Sequence, residues 1–154
     1  MEMTEAIREA YVTSETHAGV TTIEFSHPQS NSMPGKQLEK LAQEIHFACT
    51  HKETRVIILK SGGSRAFCSG ASFDELMQIK NAAEGEKFFS GFANVINNMR
   101  KCSKLIIARI QGKCVGGGVG RAAAADYAIA VTAADIRHTE LAVGIGPVGG
   151  ETEA

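Results

Sequence analysis

The chain has 154 residues, 44% of them hydrophobic, with 16 basic against 17 acidic side chains and a formal net charge of −1. That is enough apolar material for one core of ordinary size, and the even charge balance makes no electrostatic case for nucleic acid or an anionic membrane. No apolar run approaches the roughly 20 residues of a spanning helix, and Met1-Glu2-Met3-Thr4-Glu5 is too acidic for a signal or transit peptide, so the expectation is a single domain over 1–154 in the cytoplasm or a matrix-type compartment.

Tyr11 to Glu15 and Val20 to Phe25 are β-rich runs around His17-Ala18-Gly19 and predict a hairpin with Ile23 and Phe25 on one face. His27 to Ser32 closes it as a polar loop. Pro34 suits the first turn of a helix to about His51, whose apolar stripe is Leu38, Leu41, Ile45 and Ala48 or Cys49. His46 and His51 have no ligand-like partner at a useful spacing and read as solvated. Arg55 to Lys60 is the clearest strand, with the unbroken apolar core Val56-Ile57-Ile58-Leu59 expected where both faces of a sheet are covered.

From Arg65 to Asp74 the residues are mostly small and read as a glycine-containing turn that lets a ligand approach the backbone. Ser72 is a plausible N-cap there, with Glu75 at the third helical position. About Gly85 to Lys101, Phe88, Phe89, Phe92, Val95, Ile96 and Met99 fall at helical spacing and predict a core-packing helix. Leu105 to Ile110 is a short buried strand leading through Gly112 to Gly116-Gly117-Gly118, after which Ala122 to Ala125 favour helix. Free N–H groups at that helix start, with the positive end of the dipole behind them, make an anion or oxyanion site; the same glycines also serve simply to pack a helix close to a sheet.

Asp126 to Val131 alternates like a strand, Ala133-Ala134-Asp135 is a turn, and Ile136 to His138 is a short extended piece. Glu140 follows, beside Leu141, Ala142, Val143 and a glycine turn at 144–147. That setting suits an acid to proton transfer, although a surface glutamate is the other reading. Cys49, Cys68, Cys102 and Cys114 match neither a CxxC redox pair nor a paired zinc pattern, read as reduced buried thiols, and predict no metal site.

Gly118-x-Gly120-x-x-Ala123 satisfies a relaxed dinucleotide fingerprint, with Glu140 roughly 20 residues on. Only residues 121–126 separate that loop from the next strand, too few for a parallel crossover of a dozen or more. Neither a Gly-Lys-Ser/Thr phosphate loop nor a Gly-x-Ser-x-Gly elbow occurs in the chain.

Arg65-Ala66-Phe67-Cys68-Ser69-Gly70-Ala71, followed by Gly116-Gly117-Gly118 and by Asp126-Tyr127-Ala128-Ile129-Ala130, resembles the crotonase superfamily, the enoyl-CoA hydratase/isomerase family. The resemblance covers nearly the whole chain: His27-Pro28 to Asn31-Ser32-Met33 is similar to the family's first loop, and Glu140 to Gly144 to its glutamate-bearing turn. It implies an α/β fold, a crotonase-like spiral of ββα units, and an enzyme of acyl-CoA thioesters. By the same resemblance the N–H groups of Ala71 and Gly117 hold the thioester oxygen, and Ser30, Arg65, Cys68 and Ser69 match the loops that contact coenzyme A. Arg65 would lie near the nucleotide phosphates, or be a solvated charge. Coenzyme A enters as part of the substrate, no permanently bound cofactor is implied, and trimers or hexamers are the assembly expected of the full-length chain.

Three departures shape the expected chemistry. Hydratases of the family use two glutamates, and the first would fall at Gly120, leaving Glu140 alone. One base beside an oxyanion hole fits double-bond isomerisation better than addition of water by two carboxylates, with decarboxylation, hydration or non-catalytic acyl-CoA binding as alternatives. Arg121 stands where the family usually has an apolar residue, and must snorkel out, be paired, or cost stability. The family's C-terminal helical region, which closes the active site, is not present in this sequence.

Overall fold

The computed structural model describes residues 9–137. β1 (Tyr11–His17) and β2 (Val20–Ser26) form the expected antiparallel hairpin, with Tyr11 opposite Ser26 and His17 opposite Val20. Alternation along β2 buries Thr21, Ile23 and Phe25 on the core side. Helix α1 (Gly35–Thr50) starts after Pro34, which is its N-cap rather than its first helical residue, and inserts Leu38, Leu41, Ile45 and Ala48 into the core. β3 (Val56–Ser61) then lies parallel to β2.

From here the chain repeats a pattern. Short β4 (Ala66–Cys68) leaves the first sheet, and helices α2 (Phe73–Gln78) and α3 (Ala82–Lys101) return the chain to β5 (Leu105–Ile110), parallel to β3. Short β6 (Lys113–Val115) pairs in parallel with β4, helix α4 (Gly117–Ala124) follows, and β7 (Tyr127–Ala130) adds in parallel to β5. β8 (Ile136–Arg137) adds in turn to β6. The two sheets have the orders β1-β2-β3-β5-β7 and β4-β6-β8. Each turn adds one strand to both sheets and then a helix wherever the turn is fully described, which is the α/β spiral of ββα units that the resemblance implies.

Three expectations are corrected. β4 lies in a segment that reads from the sequence as a turn, and β6 in the connection between Ile110 and the glycine triplet, where the sequence predicts no strand; three residues are too few to display a period of two, and the strands exist because they pair with each other. The crossover objection to the glycine loop also changes, since β7 neighbours β5 and the crossing segment contains both β6 and α4. Finally, Cys49 and Cys102 are not free thiols but a disulfide, with Cα atoms 5.5 Å apart. Cys49 stands in the last turn of α1 and Cys102 caps the end of α3, two ends that meet only in the folded chain. Lys104 reinforces the junction, its Nζ donating to the carbonyls of Ala48 and His51.

The core joins one face of the long sheet's centre to the helices through Ile23, Phe25, Leu41, Ile45, Ile57, Leu59, Phe92 and Ile106; the opposite face of β3, expected from its apolar run to be covered as well, is only half-buried. Phe25 meets Phe67 of β4 edge-on at 5.4 Å, locking the long sheet to the short one. Among the described residues no helix is long and apolar enough to cross a membrane.

Candidate active site

Strand pairing builds the site. β4 runs through Cys68 into Ser69-Gly70-Ala71, and β6 runs through Cys114 into Val115-Gly116-Gly117; with Cys68 paired to Cys114 in parallel, the two loops leave the short sheet at the same edge. Gly70 has a φ of +94°, and a Cβ placed on it would lie 3.3 Å from the Val115 carbonyl oxygen and 3.9 Å from the Gly117 nitrogen. Only glycine takes that conformation readily at such close approach.

Both loops lead toward helix starts. Ser72 caps α2 as its sequence predicts, its Oγ accepting the Glu75 N–H at 3.5 Å. The Glu75 carboxylate does not close the capping box; it accepts the N–H of Gly35 at 2.8 Å and so caps α1, which has no capping side chain of its own. Gly117 opens α4 against Phe92, whose Cε1 would be 2.5 Å from a Cβ at that position. Neither the Ala71 N–H nor the Gly117 N–H has an acceptor among the described residues. Two unpaired amide donors on adjoining loops can hold an oxygen on which negative charge develops.

The polar loop after β2, His27 to Met33, is stitched to the segment Ser69 to Asp74. Met33 donates its N–H to the Gly70 carbonyl at 3.0 Å, Gln29 Nε2 reaches Asp74 Oδ2 at 3.0 Å, and Ser69 Oγ donates to the Gln29 carbonyl at 3.4 Å. These bonds bring exposed Ser30, with its left-handed φ of +53°, to the same side as half-buried Ser69. Arg65 is exposed between β3 and β4, and its carbonyl accepts the Lys113 N–H at 3.1 Å. Cys68 differs from the other three: its side chain is sealed in the core, so only its backbone is available to a ligand.

Sequence reasoning missed Asn31 as an organiser of this edge. Buried and at φ +57°, it donates from Nδ2 to the carbonyls of Gly62 and Ala66, both at 2.8 Å, and accepts the His27 N–H on Oδ1 at 2.8 Å. The signal was an asparagine in a polar loop, a residue type that tolerates left-handed backbone. Gln111 does a similar service, donating from Nε2 to Ser61 Oγ at 2.8 Å and to the Ala66 carbonyl at 3.1 Å.

Arg121 does not snorkel out, and it finds no acid among the described residues. It is 1% exposed, its guanidinium lies 5.6 Å from the Phe25 ring centroid and 5.7 Å from that of Phe92, and Nη2 donates to Cys68 Sγ. Its Nε and Nη1 have no hydrogen-bond partner among the described residues. Burial is the main cause that pushes the Cys114 thiol up to about 12, the Cys68 sulfur adding to it and the Arg121 charge opposing. His27 is held below its ordinary value by partial burial, with Asp74 opposing. Gly120 is buried in α4 and offers no carboxylate, and Glu140 lies outside the described residues. Among the described residues no cluster of three or more His, Cys, Asp or Glu is placed to hold a metal.

A two-sheet ββα spiral in which glycine loops leave neighbouring parallel strands and pack against each other is a crotonase-type scaffold. The family model described as Enoyl-CoA hydratase/isomerase matches residues 15–154, and the chain belongs to that family. It is 31% identical over 123 residues to methylglutaconyl-CoA hydratase of Rattus norvegicus, covering 80% of this chain and 39% of that one. With ethylmalonyl-CoA decarboxylase of Gallus gallus it shares 24% identity over 135 residues, 87% of this chain and 45% of the relative. Among solved structures, DspI of Pseudomonas aeruginosa superposes with a TM-score of 0.86 at 27% identity over 92% of this chain and 54% of that chain. An enoyl-CoA hydratase of Bacillus anthracis gives 0.84 at 26% identity over 90% and 54%. The chain thus spans less than half the length of these curated relatives.

Proposed function

We propose that this chain is the thioester-binding core of an acyl-CoA-processing enzyme in which the N–H groups of Ala71 and Gly117 hold the thioester oxygen and Glu140 is the one general base. The observation that carries this is the side-by-side exit of the two donor loops, with Gly70 packed close to the Gly117 nitrogen. Removing a proton beside a thioester pushes charge onto its oxygen, and preorganised amide donors stabilise that enolate; each is worth on the order of 3 kcal/mol in comparable sites. Coenzyme A belongs to the substrate, with Ser30, Arg65, Ser69 and the backbone of Cys68 as its contacts and no resident cofactor.

Gly120 favours proton shuttling over addition of water, because a second carboxylate is what activates and delivers water in a two-acid site. Isomerisation is therefore the preferred reaction, and decarboxylation, which also passes through an enolate, is the next. The test is exchange of the α- and γ-protons of crotonyl-CoA with deuterated water by the full chain. Glu140→Gln should keep crotonyl-CoA binding and lose exchange; exchange at the original rate in that variant would remove Glu140 from the mechanism. A non-catalytic acyl-CoA-binding module is the second reading, favoured by the same Gly120, and it predicts binding without exchange in the unsubstituted protein.

A further inference from the structure

Arg121 heads the largest fully buried side chains of the described residues, and no acid pairs with it there. A buried guanidinium with two donors unsatisfied costs stability that an apolar side chain of similar volume would not. What it does instead is touch one neighbour of each donor loop: Cys68, which ends β4, and Phe92 of α3. Arg121 lies one helical turn after Gly117 on α4, and its side chain runs back toward the helix start, as helical side chains do. There Nη2 donates to Cys68 Sγ, while the guanidinium lies over Phe92, the ring that Gly117 packs against. The same Cys68 Sγ accepts the Gly70 N–H at 3.3 Å. Gly70, in its left-handed turn, sets the direction of the next peptide, whose N–H is that of Ala71.

We propose that Arg121 is a positioning residue for the oxyanion site: acting through Cys68 it holds the Gly70 turn that aims the Ala71 N–H, and through Phe92 it seats the Gly117 end of α4. This rests on the reading that Ala71 and Gly117 hold a thioester oxygen. It makes Arg121 a group kept for alignment against its own cost in stability. A merely structural arginine would behave oppositely, since its removal would loosen the fold and leave the polarisation of a bound carbonyl unchanged.

The experiment measures the infrared carbonyl stretch of crotonyl-CoA, labelled with carbon-13 at the thioester carbon, bound to the full chain and to Arg121→Leu and Cys68→Ala. The unsubstituted protein should move the band to lower frequency. Arg121→Leu should unfold at the same or a higher denaturant concentration and bind the thioester within roughly threefold of the original affinity, because an apolar side chain replaces a buried charge. It should nonetheless lose much of the band shift and roughly tenfold in proton exchange, less than the loss of a whole donor. Cys68→Ala cuts the same link with Arg121 still in place, and should lose shift in the same direction even if Arg121→Leu fails to fold. A full band shift in Cys68→Ala, or in folded Arg121→Leu, would overturn the positioning role alone. A bound thioester with no band shift in the unsubstituted protein would overturn the oxyanion reading beneath it.

Discussion

Cys68 and Cys114 are register partners across β4 and β6, and each leads its strand into one of the two donor loops. Because the pair is parallel, this register decides that Ala71 and Gly117 emerge at one edge; a slip of one residue would carry one of them away by about 3.3 Å. Both sulfurs sit in the core behind the loops, Cys68 against Arg121 and Cys114 against the start of α4.

The environment of Cys114 makes a prediction about alkaline stability. Its thiol is pushed up to about 12 from an ordinary 9.0, chiefly by burial. The unfolded chain therefore releases this proton first, so the stabilising contribution is whole below pH 9 and is lost as pH rises from about 9 toward about 12. Denaturant midpoints measured across that window should fall, and Cys114→Ala should flatten this part of the fall. An identical slope in the variant would assign the effect to other groups.

The Cys49–Cys102 disulfide spans 53 residues of sequence. Loop-closure entropy gives such a crosslink at most about 4 kcal/mol of stabilisation. Unfolded, unreduced protein should titrate two thiols rather than four, and reductant should lower the melting temperature. Cys102→Ser should lower it by a similar amount and make it insensitive to reductant; a melting temperature that reductant leaves unmoved would show the crosslink to be energetically idle.

Asn31→Ala should cost about 2 to 3 kcal/mol, since it strips partners from two buried carbonyls and an N–H while leaving alanine in a left-handed turn. The loss should appear in equilibrium denaturation. It should also lower affinity for coenzyme A, because the loop carrying Ser30 loses its anchor to Gly62 and Ala66. A variant as stable as the parent would mean that water replaces the asparagine amide.

Gly117→Ala places a methyl group 2.5 Å from Phe92 Cε1, a contact that forces the ring or the helix to move. Overpacking of this kind costs about 1 to 3 kcal/mol. Phe92→Leu opens space at the same point, so the double variant should be less destabilised than the sum of the two single changes. Strict additivity across the four proteins of this cycle would show that the helix start, not the ring, absorbs the strain.

The elements that the sequence determined by itself are those with a local apolar pattern. The β1–β2 hairpin, the Leu38-Leu41-Ile45 stripe of α1 and the phenylalanine-rich face of α3 were legible because apolar residues recur at 2 or about 3.6 positions, and β3 and β5 because each carries a short unbroken apolar run. Two local signals were legible as well: Ser72 as the cap of α2, and the glycine run that turns β6 into α4. Tertiary structure alone decided the rest. β4 and β6 are strands only because distant segments pair, Cys49 and Cys102 join only because the ends of α1 and α3 meet, and Asn31 matters only because the carbonyls of Gly62 and Ala66 come to rest beside it. Arg121 is the clearest instance: the sequence shows an arginine on a short helix, but its burial follows from Phe25 and Phe92 closing over it from other elements. Periodicity is a property of neighbours along the chain, whereas these contacts are chosen by long-range packing, which no local window of residues contains.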